Sequence, residues 1–377
     1  MKSKYHCVFQ RPLTIEPQLF MSSDLKNIRP NRPTPIDVDE ELPTVGKKES
    51  AAKAIETLRA GEYVVVADQF SVGVDVLSKL RKEIIGDHQK EDFKEYRNRR
   101  TEYHDASNRL LAPIKKNSVA LQKSPEIGWL EKLYPDMEDF LLPFPKVQGL
   151  NSSWQWYLNG IKYPGLKNKL HPYYGAYFPT RHDHLYLFDY WLKKKRKVKS
   201  SALDIGTGCG VLSFQLLERG FEQLIATDIN PNAVISVRDD AEKLGLSDKL
   251  DVKISDLFEN VDETVDLIVF NPPWLPAEKE ISGLDRAIYY EKGLFERFFD
   301  EAKNHLNEKG SLVILFSNFA EIAGVDVHHP VEKELENNTR YKKVKRIQRR
   351  VTKPSSKTKR PDHRKGEFVE LWELTPA

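Results

Sequence analysis

The stretch ALDIGTGCG, residues 202–210, decides how this chain is read. Ala202–Ile205 predicts a strand, Gly206, Gly208 and Gly210 a tight turn, and Val211–Glu218 the helix that leaves it. Downstream, strands and helices alternate. Leu224–Thr227 predicts a strand, and Pro231–Leu244 a helix with Asn230 as cap and Pro231 at its first position. Asp251–Ile254, Leu267–Phe270 and Ser311–Phe316 predict further strands. Leu294, Phe298, Ala302 and Leu306 mark a helix that stops near Gly310. Such alternation implies an α/β fold, a parallel sheet with helices on both faces. Tyr341–Val351 and Glu367–Leu374 are two last β-type runs, expected to pair as a hairpin across the basic loop 352–366.

Upstream of the glycine turn the signals weaken. Thr180 is expected to cap a helix on which Leu185, Phe188 and Leu192 share one face, opening a domain over residues 181–377. Residues 146–180 form an aromatic connector containing SSWQWYLNGIKYPG and HPYYGAYFPT. Residues 50–145 predict a small, α-rich accessory domain. Ser50 would cap AAKAIETLRAG, with Gly61 ending it. Tyr63–Val66 is a short β-type run, Leu77, Leu80 and Ile84 share a helical face, and Tyr96, Tyr103 and Leu110 mark a long surface helix. Residues 1–49, with NIRPNRPTPIDVDEELPT, predict a poorly ordered tail.

The 377 residues leave room for two or three domains, and the net charge is only +3. No run of about 18 apolar residues occurs, so no membrane helix is expected, and the N-terminus shows no secretory pattern. Two distant cysteines, Cys7 and Cys209, give no disulfide framework and suit a reducing cytoplasm. Charge is concentrated locally: six of the seven residues 193–199 are Lys or Arg, as are twelve of residues 342–365 against one acid. Such clusters serve as solvated surface or as contacts to phosphate.

The glycine turn frees N–H groups at a helix start and lets a ligand approach the backbone. A dinucleotide site wants G-x-G-x-x-G with the helix aimed at a pyrophosphate. Here Val211 stands where the third glycine of that pattern would be, and Asp204 precedes the turn. A carboxylate there repels pyrophosphate and suits the cationic amino-acid end of S-adenosylmethionine. Asp228 ends the second strand, where a carboxylate accepts hydrogen bonds from ribose hydroxyls. Asp256, after the third strand, is placed for the adenine amine, with Leu257 or Phe258 against the ring.

The fourth strand ends in FNPPWLP, residues 270–276. Pro272 and Pro273 stiffen the backbone and offer carbonyls without N–H groups of their own. Asn271 adds a side-chain carbonyl, so the segment can grip both hydrogens of a planar –NH₂ group, and Trp274 offers a flat face beside it. A sulfonium methyl group is already reactive, so such a site chiefly positions. Tyr174, Tyr177, Phe178 and Arg181 are candidates for the donor or acceptor site, with core packing as the alternative. His182 and His184 lack further ligands at metal spacing, so no metal is expected. Cys209 is read as a small turn residue and His328-His329 as a loop pair.

ALDIGTGCG, ATDIN, SDLF and NPPW, in this order, resemble the class I S-adenosylmethionine-dependent methyltransferases that modify nitrogen. Within these the chain is similar to the small-domain group that contains the glutamine methyltransferases of release factors and ribosomal proteins. The resemblance covers roughly residues 170–377. It implies a Rossmann-like sheet of seven strands with an antiparallel last strand, beside a mainly helical accessory domain. It implies donor contacts at Asp204, Gly206, Gly208, Gly210, Asp228, Asp256 and Asn271, and acceptor contacts at Asn271, Pro272 and Trp274. The release-factor enzymes usually carry Tyr where this chain has Trp274, which leaves the acceptor pocket open. The expectation is methyl transfer to an amide or amino nitrogen of a macromolecule, first a protein glutamine. A base amine in RNA or DNA, or a donor-binding partner subunit without catalysis, stand as alternatives.

Overall fold

The computed structural model describes residues 28–38, 40–86, 93–195, 200–277, 281, 283–322, 324–325, 328–337, 340–351 and 366–377. Its contacts divide the chain into two units, one of Arg32–Gln155 and one of Ile28–Asn31 with Trp156–Ala377. The first 27 residues with Cys7, the side chain of Tyr96, residues 196–199 of the first basic run and the loop 352–365 lie outside the described residues.

The first unit is built on a five-stranded sheet. In chain order it holds β1 (Thr44–Val45), α1 (Ala51–Arg59), β2 (Val64–Val66), α2 (Phe70–Ile84) and α3 (Phe93–Ser107). Then come β3 (Leu110–Lys115), β4 (Ser118–Val119), α4 (Trp129–Leu133), β5 (Asp139–Pro143) and α5 (Phe144–Asn159), within which the unit boundary falls. β1, β2 and β3 run parallel, and β4 and β5 pair antiparallel with β3. The sequence suggested helices with one short β run here, and the sheet is the correction. Leu110–Ile114 is buried along its whole length, so β3 shows none of the alternation that betrays a half-buried strand. Leu110 opens this strand and does not extend the helix of Tyr103. Residues 32–38 and 40–49 were expected to be loose. They carry β1, an Ile36–Leu141 bridge, the Arg32–Asp136 ion pair and a bond from the buried Tyr134 hydroxyl to the Pro33 carbonyl. Few apolar residues suffice when the backbone finds such partners.

The second unit opens with the antiparallel pair β6 (Ile161–Lys162) and β7 (Lys169–Leu170), then α6 (Asp183–Lys194). The helix starts three residues after Thr180, with His182 as N-cap and no side-chain cap bond. The alternating part follows: β8 (Ser201–Ile205), α7 (Val211–Glu218), β9 (Gln223–Asp228), α8 (Pro231–Lys243), β10 (Leu250–Ile254) and β11 (Val265–Phe270). After the short β12 (Leu275–Pro276) and β13 (Tyr289–Tyr290) come α9 (Leu294–Ala302), β14 (Leu306–Ser317), α10 (Phe319–Ile322), α11 (Pro330–Asn337), β15 (Tyr341–Arg350) and β16 (Phe368–Pro376).

The sheet runs β10-β9-β8-β11-β14-β16-β15. The first five strands are parallel, and β16 is antiparallel to both its neighbours. This is the expected seven-stranded arrangement, with the hairpin strands joined at one edge. The central strands β8, β11 and β14 are buried on both faces. One core packs α6, α7 and α8 on Leu267, Val269, Val313 and Leu371, and the other packs α9 on Ile268, Phe270, Ile314 and Trp372. Each fully buried Leu, Val or Phe contributes about 1.5–3 kcal/mol over an exposed one. The order reverses at β8, which leaves a crevice at the carboxyl ends of β8, β9 and β11.

Candidate active site

Strand register brings the sequence-picked residues to one level. Phe270 pairs with Ile205, Ile205 with Thr227, and Asp228 with Ile254. The residues just past these strand ends therefore line the same crest. Gly206, Gly208 and Gly210 all have left-handed backbone, with φ of 65°, 56° and 82°. Their surroundings differ. A Cβ on Gly208 would lie 2.8 Å from the Tyr177 carbonyl oxygen, and one on Gly210 would meet Phe214 at 2.9 Å and Val237 at 3.0 Å. One on Gly206 would touch only the Phe270 ring, at 3.7 Å. Gly208 and Gly210 thus let backbone and helix close up, while Gly206 leaves open space above the turn.

Carboxylates hold this turn. Asp204 is fully buried, and its Oδ2 accepts from Thr207 Oγ1 at 2.8 Å, Ser213 Oγ at 2.7 Å and the Ser213 N–H at 3.1 Å. Its Oδ1 is buried without a partner. Burial pushes this carboxyl up to about 6, against the pull of the Ser213 and Thr207 bonds. Asp228 is half-buried. It accepts from the Gly208 N–H at 2.8 Å and the Asn230 N–H at 2.9 Å. Burial raises its pKa, and those two N–H groups oppose the rise. Asn230 caps α8 by accepting from the Asn232 N–H.

The aromatic connector is laid on this frame. The His171 N–H donates to Asp240, the Tyr173 N–H to Ser236, Asn232 Nδ2 to the Tyr174 carbonyl and Asn230 Nδ2 to the Gly175 carbonyl. Tyr177 ends the run over Gly208. Asn31, from the segment expected to be tail, exchanges two backbone bonds with the Asn232 amide, at 2.6 and 2.8 Å.

At the end of β11 the polar groups are differently placed. Pro272 is buried, and Asn271 and Trp274 are half-buried. Asn271 Oδ1 and Trp274 Nε1 are buried with no hydrogen-bond partner among the described residues. His184, on the first turn of α6, meets Trp274 edge-on with ring centroids 5.6 Å apart and planes at 89°. His184 Nε2 is likewise buried and unpartnered. Burial drives this imidazole down to about 4, so it is neutral at physiological pH. Each such orphan costs about 1–3 kcal/mol. Three of them gather around one tryptophan, Trp274.

The profile of the methyltransferase small-domain family matches residues 189–347. A sequence from Methanocaldococcus jannaschii, provisionally named as a protein glutamine methyltransferase, is 35% identical over 164 residues, which is 42% of this chain and 79% of that protein. The chain belongs to the methyltransferase small-domain family. It is an S-adenosylmethionine-dependent methyltransferase. The release factor glutamine methyltransferase of Cereibacter sphaeroides is 41% identical over 81 residues, 21% of this chain and 29% of that protein. That of Aquifex aeolicus is 33% identical over 123 residues, 29% and 44% respectively. The chain thus spans less than half the length of these two relatives.

In the methyltransferase, Asp256 is held by an ion pair: Arg297 on α9 reaches both its oxygens, at 3.1 and 3.4 Å. Phe258, expected against a ligand ring, is buried, stacked between His305 and Phe298. Leu257 is buried too, with a φ of 51°. Arg181 pairs with the buried Glu367, and His329, whose imidazole burial pushes down, lies 3.7 Å from Glu370. Cys209 is buried 3.9 Å from the Tyr163 hydroxyl, and burial pushes its thiol up to about 12. Among the described residues no group of three His, Cys, Asp or Glu is arranged to hold a metal, and no helix is long and apolar enough to cross a membrane. His184 is the site neighbour that sequence reasoning set aside. The only signal for it is its place at the start of a helix that follows the aromatic connector.

Proposed function

We propose that this methyltransferase modifies a planar amide nitrogen in a protein, a glutamine side chain, held at Asn271-Pro272-Pro273-Trp274. One observation carries the reading: Asn271 Oδ1 is a buried acceptor with nothing to accept from among the described residues. A primary amide brings two N–H groups and satisfies it, with the prolyl carbonyls as further acceptors. The relatives named as glutamine methyltransferases support the same choice of nitrogen. Trp274 packs against both cores, which fixes its ring as a wall for a flat group.

The residues fit the methyl donor. Gly206 leaves room above the turn, and Asp228 is half-exposed with lone pairs beyond those used by Gly208 and Asn230. S-adenosylmethionine supplies an electrophilic methyl group on a sulfonium. Gly206 would receive it along its backbone and Asp228 at its ribose, while Gly208, its N–H held by Asp228 and Tyr177 laid over it, would set the shape of the turn. Asp204, walled in by protein, acts by fixing the turn and the start of α7. Gly210 acts by letting α7 pack against α8. Asp256 would contribute only through a carboxylate it shares with Arg297. With the amide held by Asn271, its nitrogen would be presented to the donor, and orientation would supply most of the acceleration.

A base amine is the second reading, favoured by the aromatic wall of Trp274. Incubating the protein with tritiated donor and cell extract separates the two. Label released by protease and untouched by nuclease is expected. Label released by nuclease assigns a base amine, and absence of transfer to any fraction overturns both readings.

A further inference from the structure

We propose that the outward face of α6 and β15 is a binding surface for single-stranded nucleic acid. α6 buries Leu185, Leu187, Phe188, Trp191 and Leu192 and turns Tyr186 and Tyr190 outward, 48% and 46% exposed. Two large rings left in water one turn apart need a reason. Cations accompany both. Lys194 lies 4.2 Å from the Tyr190 ring centre and bonds its hydroxyl, and Arg349 lies 5.2 Å from the ring centre of Tyr186.

Register explains how β15 delivers the second set of charges. Ile347 pairs with Leu371 and Arg349 with Val369, both in the core beneath α6, so alternate residues of β15 face that helix. Lys345, on the same side, lies close enough to lower the Tyr190 pKa further, beside the larger effect of Lys194. Lys193 adds a fourth exposed cation.

The acids of this region are turned inward. The side chains of Asp183, Asp189 and Glu373 are at most 14% exposed, and each already carries a cation: Arg349, Arg219 with Lys193, and Lys195. Arg349 and Lys193 are thereby partly neutralised, and Lys194 and Lys345 are the positive charges left interleaved with the aromatic faces. Lysines on an edge strand also discourage sheet extension. That would account for β15 but not for tyrosines on the neighbouring helix. Phosphates meet the cations and bases stack on the rings, whereas an acidic peptide would use only the charges. The surface begins two residues along α6 from His184, on the helix's other face, and it stands whichever nitrogen is methylated.

Fluorescence anisotropy of a labelled oligouridine with the full chain tests this. Replacing both rings, Tyr186→Ala with Tyr190→Ala, is expected to weaken binding at least about tenfold. Lys194→Gln with Lys345→Gln should flatten the dependence of log affinity on log salt by about 1.4 between roughly 50 and 200 mM salt, about 0.7 for each lost phosphate contact. These positions are exposed, and matching thermal melts confirm that the variants fold. No binding by the unaltered protein, binding unchanged in both variants, or equal displacement by polyglutamate would each overturn the proposal.

Discussion

Two neighbouring regions of the second unit treat their polar atoms in opposite ways. In the glycine turn, Asp228 takes the Gly208 and Asn230 N–H groups and Asp204 takes Thr207 and Ser213. The Thr207 N–H is bound to the Thr227 carbonyl. At the end of β11, by contrast, Asn271, Trp274 and His184 bury polar atoms that find no partner among the described residues. The turn is largely held by its own sequence, with Asp204 Oδ1 its one oxygen left over, and presents shape, while the clamp waits for donors and acceptors from outside. The difference fits a site where one ligand is received by a preset backbone and the other by unspent hydrogen bonds.

The comparison breaks most visibly at Asn271. Asn271→Ala removes the unspent acceptor and leaves the turn untouched. Transfer is expected to fall by about 10²-fold or more, with calorimetric affinity for S-adenosylhomocysteine changed by no more than a few-fold. A variant that transfers normally would show that this amide grips nothing.

A smaller effect, on the other side of the comparison, is expected from Gly208→Ala. The left-handed backbone alone costs about 1–2 kcal/mol, and the new Cβ meets a backbone oxygen at 2.8 Å that cannot swing away. Donor affinity and unfolding midpoint should fall together. Gly220→Ala, at φ 90° with open space around it, pays only the backbone term and serves as the reference. Equal losses in the two variants would mean that the approach of Tyr177 to the turn is unimportant.

Much of this unit was legible because its signals are local. β8, β11 and β14 announce themselves as apolar runs, Asn230-Pro231 as a cap, and Tyr341 to Leu374 as a hairpin. What escaped depends on distant partners. Nothing near Asp256 foretells Arg297, 41 residues on, and nothing near Gly208 foretells the carbonyl of Tyr177. His184 looked idle because a metal was the role considered, and its burial beside Trp274 exists only once α6 is docked. The accessory sheet was missed because short strands buried on both faces read like helix segments.

The smallest effect separates two buried groups of opposite sign. His184 is held at about 4 against an ordinary 6.5. Below pH 6.5 the unfolded chain takes up a proton that the folded chain refuses, so stability from the neutral imidazole drains away until about pH 4. By pH 5 the loss is about 2 kcal/mol, at 1.36 kcal/mol per unit. Asp204 works the other way. Its carboxyl sits at about 6 against an ordinary 3.8, so the cost of its buried charge is greatest above pH 6 and is relieved as pH falls to about 4. In the unaltered protein the two partly cancel. His184→Phe keeps a ring against Trp274 and removes one arm of the balance. Urea unfolding at pH 7.5 and pH 5 should show the variant gaining on the parent by about 2 kcal/mol as the medium is acidified. A difference that does not move with pH would mean that His184 is not held neutral in the fold, and its unpartnered nitrogen could no longer be counted with the clamp.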